Sequence, residues 1–311
     1  MILKPSNAKE LSRGLAHAFA LGEKVERVEP GAFNRIVEHT PEDMTVTVES
    51  GITLAVLQSE LARRGQWLPV DPPNPERLTV RDLLEENASG PRRFGFGTVR
   101  DYVIGLKITL PDGRAVKSGG KVVKNVAGYD LAKLFIGSRG SLGVIAEATF
   151  KLRPLPEAES FIRADYETLE QAERSIVSVL DSELTPVVLD LHNLSTHNIP
   201  MLVLGFAGTR EEVDWQSEKA RGLGLIEPAN LDYEKRFWSD ETPAQRLSVL
   251  PSMTVETIGR LGDTPFVARA GNGVIYHRGA AGQRKNDLPA KLMRRLKKAF
   301  DPKQILPDLP L

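Results

Sequence analysis

Cysteine is absent from all 311 residues. This removes disulfides, thiol nucleophiles, thiolate zinc sites and cysteine-ligated iron–sulfur clusters together, and with them any cysteinyl link to an organic cofactor. Electron chemistry in this chain would need a bound organic cofactor or a partner chain. Net charge is absent too, since 41 Lys and Arg are balanced by 41 Asp and Glu, which argues against binding nucleic acid or an anionic membrane through bulk charge. Long apolar runs are missing. The longest, Ile199–Ala207, is broken by Pro200 and Gly205 and falls far short of the roughly 20 residues of a membrane span. Histidine is scarce, and the five present (His17, His39, His192, His197 and His277) have no H-x-H or H-E-x-x-H spacing, so no metal site is predicted. Residues Met1–Asn7 meet charge at once and show no leader pattern, which makes cytoplasmic the expected location.

What is present describes a folded globular chain, 41% hydrophobic and 26% charged, long enough for two domains. Leu11, Leu15 and Phe19 behind Ser6 or Asn7 as N-cap, with Gly22 as a stop, predict a helix over 7–21. Strands are predicted at 25–28 and 44–49, and a helix capped by Thr53 carries Leu54, Leu57 and Leu61. A short helix over about 80–86 precedes a Gly- and Arg-bearing loop. Strands 102–110 and 114–118 then turn at Pro111-Asp112-Gly113. A helix at 131–136 capped by Asp130 and a strand at 143–152 follow, and Pro154-Leu155-Pro156 reads as a boundary. Beyond it the rhythm is strand, helix, strand, strand, helix. Thr168 with Gln171 and Thr209 with Glu212 fit capping boxes at the two helix starts, the pattern of a split βαβ unit. Two late strands, 265–270 and 273–278, lead to a basic terminal helix at 286–300.

Seven of the 26 glycines fall within residues 113–143, so the backbone there turns tightly or approaches something closely. None forms the Gly-x-Gly-x-x-Gly fingerprint or a Gly-Lys-Ser/Thr loop. Four ordered motifs do carry a resemblance: Asn87-Ala88-Ser89-Gly90-Pro91-Arg92-Arg93, Gly97-Thr98-Val99-Arg100-Asp101, Val123–Leu131 and Gly140–Ala148. Over residues 30–157 they resemble the FAD-linked oxidases with a PCMH-type flavin domain, in particular the GlcE-type subunits of glycolate oxidase.

The resemblance implies an α+β fold: a PCMH-type FAD-binding domain of two α+β subdomains over 1–155, a smaller ferredoxin-like α+β cap over 156–285, and a C-terminal helix and tail over 286–311. It implies FAD as cofactor, with Ser89, Gly90, Gly97 and Thr98 along the ribityl–pyrophosphate, Gly143, Val144 and Ile145 at the flavin or adenine end, and Pro72 and Asn87 as further contacts. It implies a GlcD-like flavoprotein partner, an iron–sulfur GlcF-like partner, and oxidation of glycolate or another small 2-hydroxy acid. Arg92, Arg93 and Arg100 are candidates for a substrate carboxylate or for surface ion pairs, and no catalytic base is evident.

Two departures bear on the cofactor. Where the family has a Gly-Gly-Gly-Thr type phosphate turn after the first helix, this chain reads Gly22-Glu23-Lys24-Val25-Glu26-Arg27-Val28-Glu29-Pro30-Gly31, and Thr79-Val80 is followed by Arg81-Asp82 in place of a Gly-Gly pair. Loss of about four amide–phosphate hydrogen bonds at ~1.5 kcal/mol each amounts to roughly 6 kcal/mol, or about four orders of magnitude in affinity. Weak or absent FAD binding by the isolated chain is therefore expected, and with it the alternative of an FAD-free interaction subunit within a flavoprotein complex. The segment Ala268–His277 has one histidine, where the catalytic flavoprotein relatives have a histidine-rich motif.

Overall fold

The computed structural model describes residues 1–29, 32–120, 131–194, 198–280 and 290–309. Val123–Asp130 of the third motif, the expected Asp130 cap and His197 lie outside them. The chain divides into two units, one of residues 1–89, 98–155 and 286–311 and one of 90–97 and 156–285.

The first unit is built on a five-stranded antiparallel sheet. Its spatial order is Ile36–Thr40, Thr45–Glu49, Val144–Lys151, Val103–Thr109, Ala115–Gly119. The sequence reading missed the Ile36–Thr40 edge strand because none of its residues is fully buried, so period-2 alternation is weak there. Thr53 caps the Leu54–Ala62 helix through Val56 N–H, and Leu54, Leu57 and Leu61 are buried in a cluster with Val46, Val48, Leu83 and Phe150. Each such leucine is worth about 1.5–3 kcal/mol of apolar burial. A smaller cluster joins Leu11 and Leu15 of the Ala8–Leu21 helix to Val144, Ala146, Ile305 and Leu306. The C-terminal tail is thus part of this unit's core.

The Ala290–Phe300 helix sets Phe300 edge-on to Phe135 at 5.5 Å. Two features of this helix differ from an ordinary amphipathic reading. Leu292 is exposed, whereas Lys297 is buried. The Lys297 ammonium donates to Asp301 Oδ2 and to the carbonyls of Ser141, Leu306 and Pro307 at 2.8–3.0 Å.

In the second unit the strands Ala158–Asp165, Val188–His192, Met201–Gly208 and Glu227–Pro228 take the spatial order fourth, first, third, second, with every described pairing antiparallel. This is the ferredoxin-like arrangement, with the Leu169–Leu180 and Arg210–Gly222 helices as the crossovers. Both helices start at the expected capping boxes, Thr168 with Gln171 and Thr209 with Glu212. Phe266–Arg269, Val274–His277 and Gln245–Ser248 extend the sheet to seven strands. The Asp232–Ser239 helix buries Tyr233, Glu234 and Phe237, and its polar, charge-rich composition hid it from apolar periodicity.

Candidate functional site

The expected phosphate end of the cofactor site lies wholly within the first unit, and its backbone donors can be followed one by one. After Gly22 ends the first helix in the left-handed conformation, Glu23 N–H donates to Ala18 O, Val25 to Ile305 O, Glu26 to Met1 O and Glu29 to Leu3 O, at 2.7–2.9 Å. Arg27–Val28 pairs in parallel with Ile2–Leu3. The Val80–Glu86 helix is equally closed at its start: Val80 N–H donates to Ile52 O and Arg81 N–H to Ser50 O, each at 2.8 Å, while Asp82 N–H donates to Thr79 Oγ1 at 3.1 Å. These amides are hydrogen-bonded within the protein, so none is left to grip a diphosphate.

The side chains there complete the closure. Arg81 is buried, its guanidinium donating to Asp82 Oδ1 at 2.9 Å and to the carbonyl of Val28, with Glu85 Oε2 at 3.9 Å. A cavity of about 140 Å³ remains, lined by residues that include Val28, Arg81, Glu85, Arg139, Gly140 and Val144. That is below the roughly 300–1,000 Å³ of an ordinary small-molecule site. Burial pushes the Glu85 carboxyl up to about 7, with Asp82 and Glu86 adding to the rise and Arg81 opposing it. Gly140 has φ +71°, and a Cβ there would stand 3.1 Å from Glu85 Oε2, so the backbone sits directly on this carboxylate.

The nine residues expected at the cofactor are distributed as follows. Val144 lines the cavity, and its side chain packs with Ile305 and Leu306. Val144 and Ile145 lie in the sheet opposite Thr109 and Ile108. Gly143 is glycine for a packing reason, since a Cβ would meet Ile108 Cγ2 at 2.9 Å and Phe135 Cε1 at 3.1 Å. Asn87 ends the Val80–Glu86 helix in the left-handed conformation, and its buried Oδ1 has no hydrogen-bond partner among the described residues. Thr98 closes a capping box with Asp101. Pro72, Ser89 and Gly90 are buried, and Gly97 takes φ 82° at the end of a short helical turn. Ser89 and Thr98 belong to the first unit, Gly90 and Gly97 to the second. Arg92 is held in a two-pronged pair with Glu159 at 2.8–2.9 Å.

Sequence reasoning passed over Glu85 and Arg139 and took Lys297 only as part of the basic terminal helix. A signal existed for Lys297: with Met293, Leu296 and Phe300 it occupies the i, i+3, i+4, i+7 stripe of its helix. Among the described residues no group of three His, Cys, Asp or Glu could hold a metal ion, and no helix is long and apolar enough to cross a membrane.

Comparison with known proteins accords with the motifs. Residues 11–119 match a family described as an FAD binding domain. The chain is 36% identical over 157 residues to glycolate oxidase subunit GlcD of Bacillus subtilis (50% of this chain, 33% of that protein) and 39% identical over 131 residues to glycolate oxidase subunit GlcE of Escherichia coli (42% and 37%). It is 33% identical over 197 residues to a probable mitochondrial D-lactate dehydrogenase of Danio rerio (58% and 39%). The chain thus spans between a third and two fifths of the length of these relatives. Among solved structures, alkyldihydroxyacetonephosphate synthase superposes with a TM-score of 0.74 at 19% identity, covering 98% of this chain and 75% of that one, which shows a shared fold.

These similarities support FAD as the cofactor of this domain type. The described residues of this chain do not fit its diphosphate: the amides of Val25, Glu26, Glu29, Val80 and Arg81 are occupied, and the cavity, lined by Glu26 and Glu85 as well as Arg27, Arg81 and Arg139, is small.

Proposed function

We propose that this chain, whose residues 11–119 match an FAD binding domain family and which is similar to glycolate oxidase subunits, serves as a GlcE-like subunit assisting flavin-dependent oxidation of glycolate or another small 2-hydroxy acid, and that it does so as a supporting chain. The flavin that turns over belongs to a GlcD-like partner, and electrons pass to an iron–sulfur subunit. One observation carries this reading: the peptide N–H groups of Glu23, Val25, Glu26 and Glu29 after the first helix, and of Val80, Arg81 and Asp82 at the start of the Val80–Glu86 helix, donate to protein acceptors. Its neighbours point the same way. Arg81, the cation best placed to replace lost amides, is engaged by Asp82 and Val28. The lack of cysteine is consistent with electrons that never reside on this chain.

The test is affinity purification of the tagged chain from its native cells. The expected complex contains a flavoprotein and an iron–sulfur protein, oxidises glycolate or a related 2-hydroxy acid, and holds one flavin per GlcD-like chain with none added by this one. Recovery of the tagged chain alone, with its own stoichiometric flavin and 2-hydroxy-acid oxidase activity, would overturn the proposal.

A further inference from the structure

The second unit contains a cavity of about 630 Å³, within the size range of a small-molecule site. It lies against the sheet face bearing Arg163, His192 and Val203, beside the Asp232–Ser239 helix. Its back wall is rigidly built. Tyr233 donates its hydroxyl to Asp190 Oδ2 at 2.6 Å, and Asp190 and Glu234 both hold the buried Arg269 guanidinium. The His192 ring stacks on Tyr233 with centroids 4.4 Å apart and planes 20° from parallel.

His192 is buried, and its Nδ1 accepts the Leu194 N–H at 3.2 Å. Burial, with Arg163 and Arg236 nearby, pushes the imidazole down to about 3, so the ring is neutral at ordinary pH. A neutral ring whose Nδ1 accepts carries its proton on Nε2. That Nε2–H has no acceptor among the described residues, and His192 lines the cavity. Two guanidinium groups share the same space. Arg163 Nε stands 3.3 Å from Asp165, whereas Arg236 donates to the Leu194 carbonyl and has no carboxylate partner among the described residues. Asp232 also faces the cavity and is 3.5 Å from Lys235. Apart from Asn230 the remaining side chains of the wall are apolar, Ile199, Met201 and Val203 among them.

We propose that this cavity binds a small organic carboxylate with an apolar body, the carboxylate accepting from His192 Nε2–H and meeting the unbalanced charge of Arg236, the body covering Ile199, Met201 and Val203. A fixed N–H donor beside an unpaired guanidinium selects a singly charged acceptor. Asp165 and Asp232 at the rim disfavour a dianion. The apolar wall favours a ligand with carbon to bury over an inorganic oxyanion. The inference rests on the second unit alone and is independent of whether the chain holds flavin or has partners.

Calorimetric titration of the full chain at pH 7 with 3-phenylpropionate, 3-phenylpropionamide and inorganic phosphate tests it. The acid should bind, and the amide and phosphate should each bind at least about tenfold more weakly, the fold-change of one lost charge-assisted contact. Arg236→Gln, an exposed site where folding is checked by circular dichroism, should weaken the acid by about the same factor. In imidazole-detected NMR the His192 Nε2 resonance should move on adding acid and stay in place on adding amide. No binding of the acid, equal binding of acid and amide, preference for phosphate, an unmoved His192 resonance, or a folded Arg236→Gln variant with unchanged affinity would each overturn the proposal.

Discussion

The two units of this chain treat buried polar groups in opposite ways. In the first, donors beside the small cavity are turned inward: the amides of Val25, Glu26, Glu29, Val80 and Arg81 meet carbonyls, and the Arg81 side chain meets Asp82. In the second, a fully internal network of Arg269, Asp190, Glu234 and Tyr233 supports a histidine whose outer N–H has no protein acceptor among the described residues. On the reading proposed above, a domain keeps a cofactor-binding fold while amides near the expected phosphate end bond to its own backbone. Fold similarity follows the sheets and cores, whereas binding follows the few donors left unmatched.

The largest expected effect breaks the second unit. Arg269→Met would leave two carboxylates buried without their cation, at a cost of about 3–5 kcal/mol, seen as a fall in the urea midpoint and loss of the His192–Tyr233 stacking signature. Next is the clamp on the tail. Lys297→Met strands the buried Asp301, which would still accept from the N–H groups of Ile305 and Leu306, and should cost about 3 kcal/mol. Hydrogen exchange at Val25, whose N–H donates to Ile305 O, should accelerate with it if the tail closes this site.

The smallest effect sharpens the comparison through pH. Glu85 has its folded value raised to about 7 from 4.5, so the protein binds this proton more tightly when folded. Its contribution is complete below pH 4.5 and is lost as pH rises through 7. Glu85→Gln, neutral throughout, should stabilise the chain at pH 8 by on the order of 2 kcal/mol and leave it unchanged at pH 4. Urea midpoints of both proteins across that interval check the sign.

Much of the scaffold was legible in sequence because it depends on local rules. Asn7 and Gly22 bracket the first helix, Thr168 and Thr209 start two others, and the order of elements after residue 157 matches the observed ferredoxin-like strand order. The departure from a Gly-rich turn after Gly22 was also visible. The contacts of that segment were not, because they come from distant residues: Ile305 takes the Val25 amide and Ile52 takes that of Val80. Arg81, which stands in place of a glycine after Thr79-Val80, is engaged by its neighbours Asp82 and Val28. His192 carried no site signal, since nothing in the local sequence announces Tyr233, 41 residues later, stacked on its ring.

The most direct test of the central claim is a titration of the purified chain with FAD, followed by flavin absorbance and fluorescence. A colourless protein that leaves FAD fluorescence unchanged into the high micromolar range is the expected result. A yellow protein as isolated, or stoichiometric quenching at submicromolar FAD, would show that the amides at Val25, Glu26, Val80 and Arg81 are not closed in solution and would contradict it.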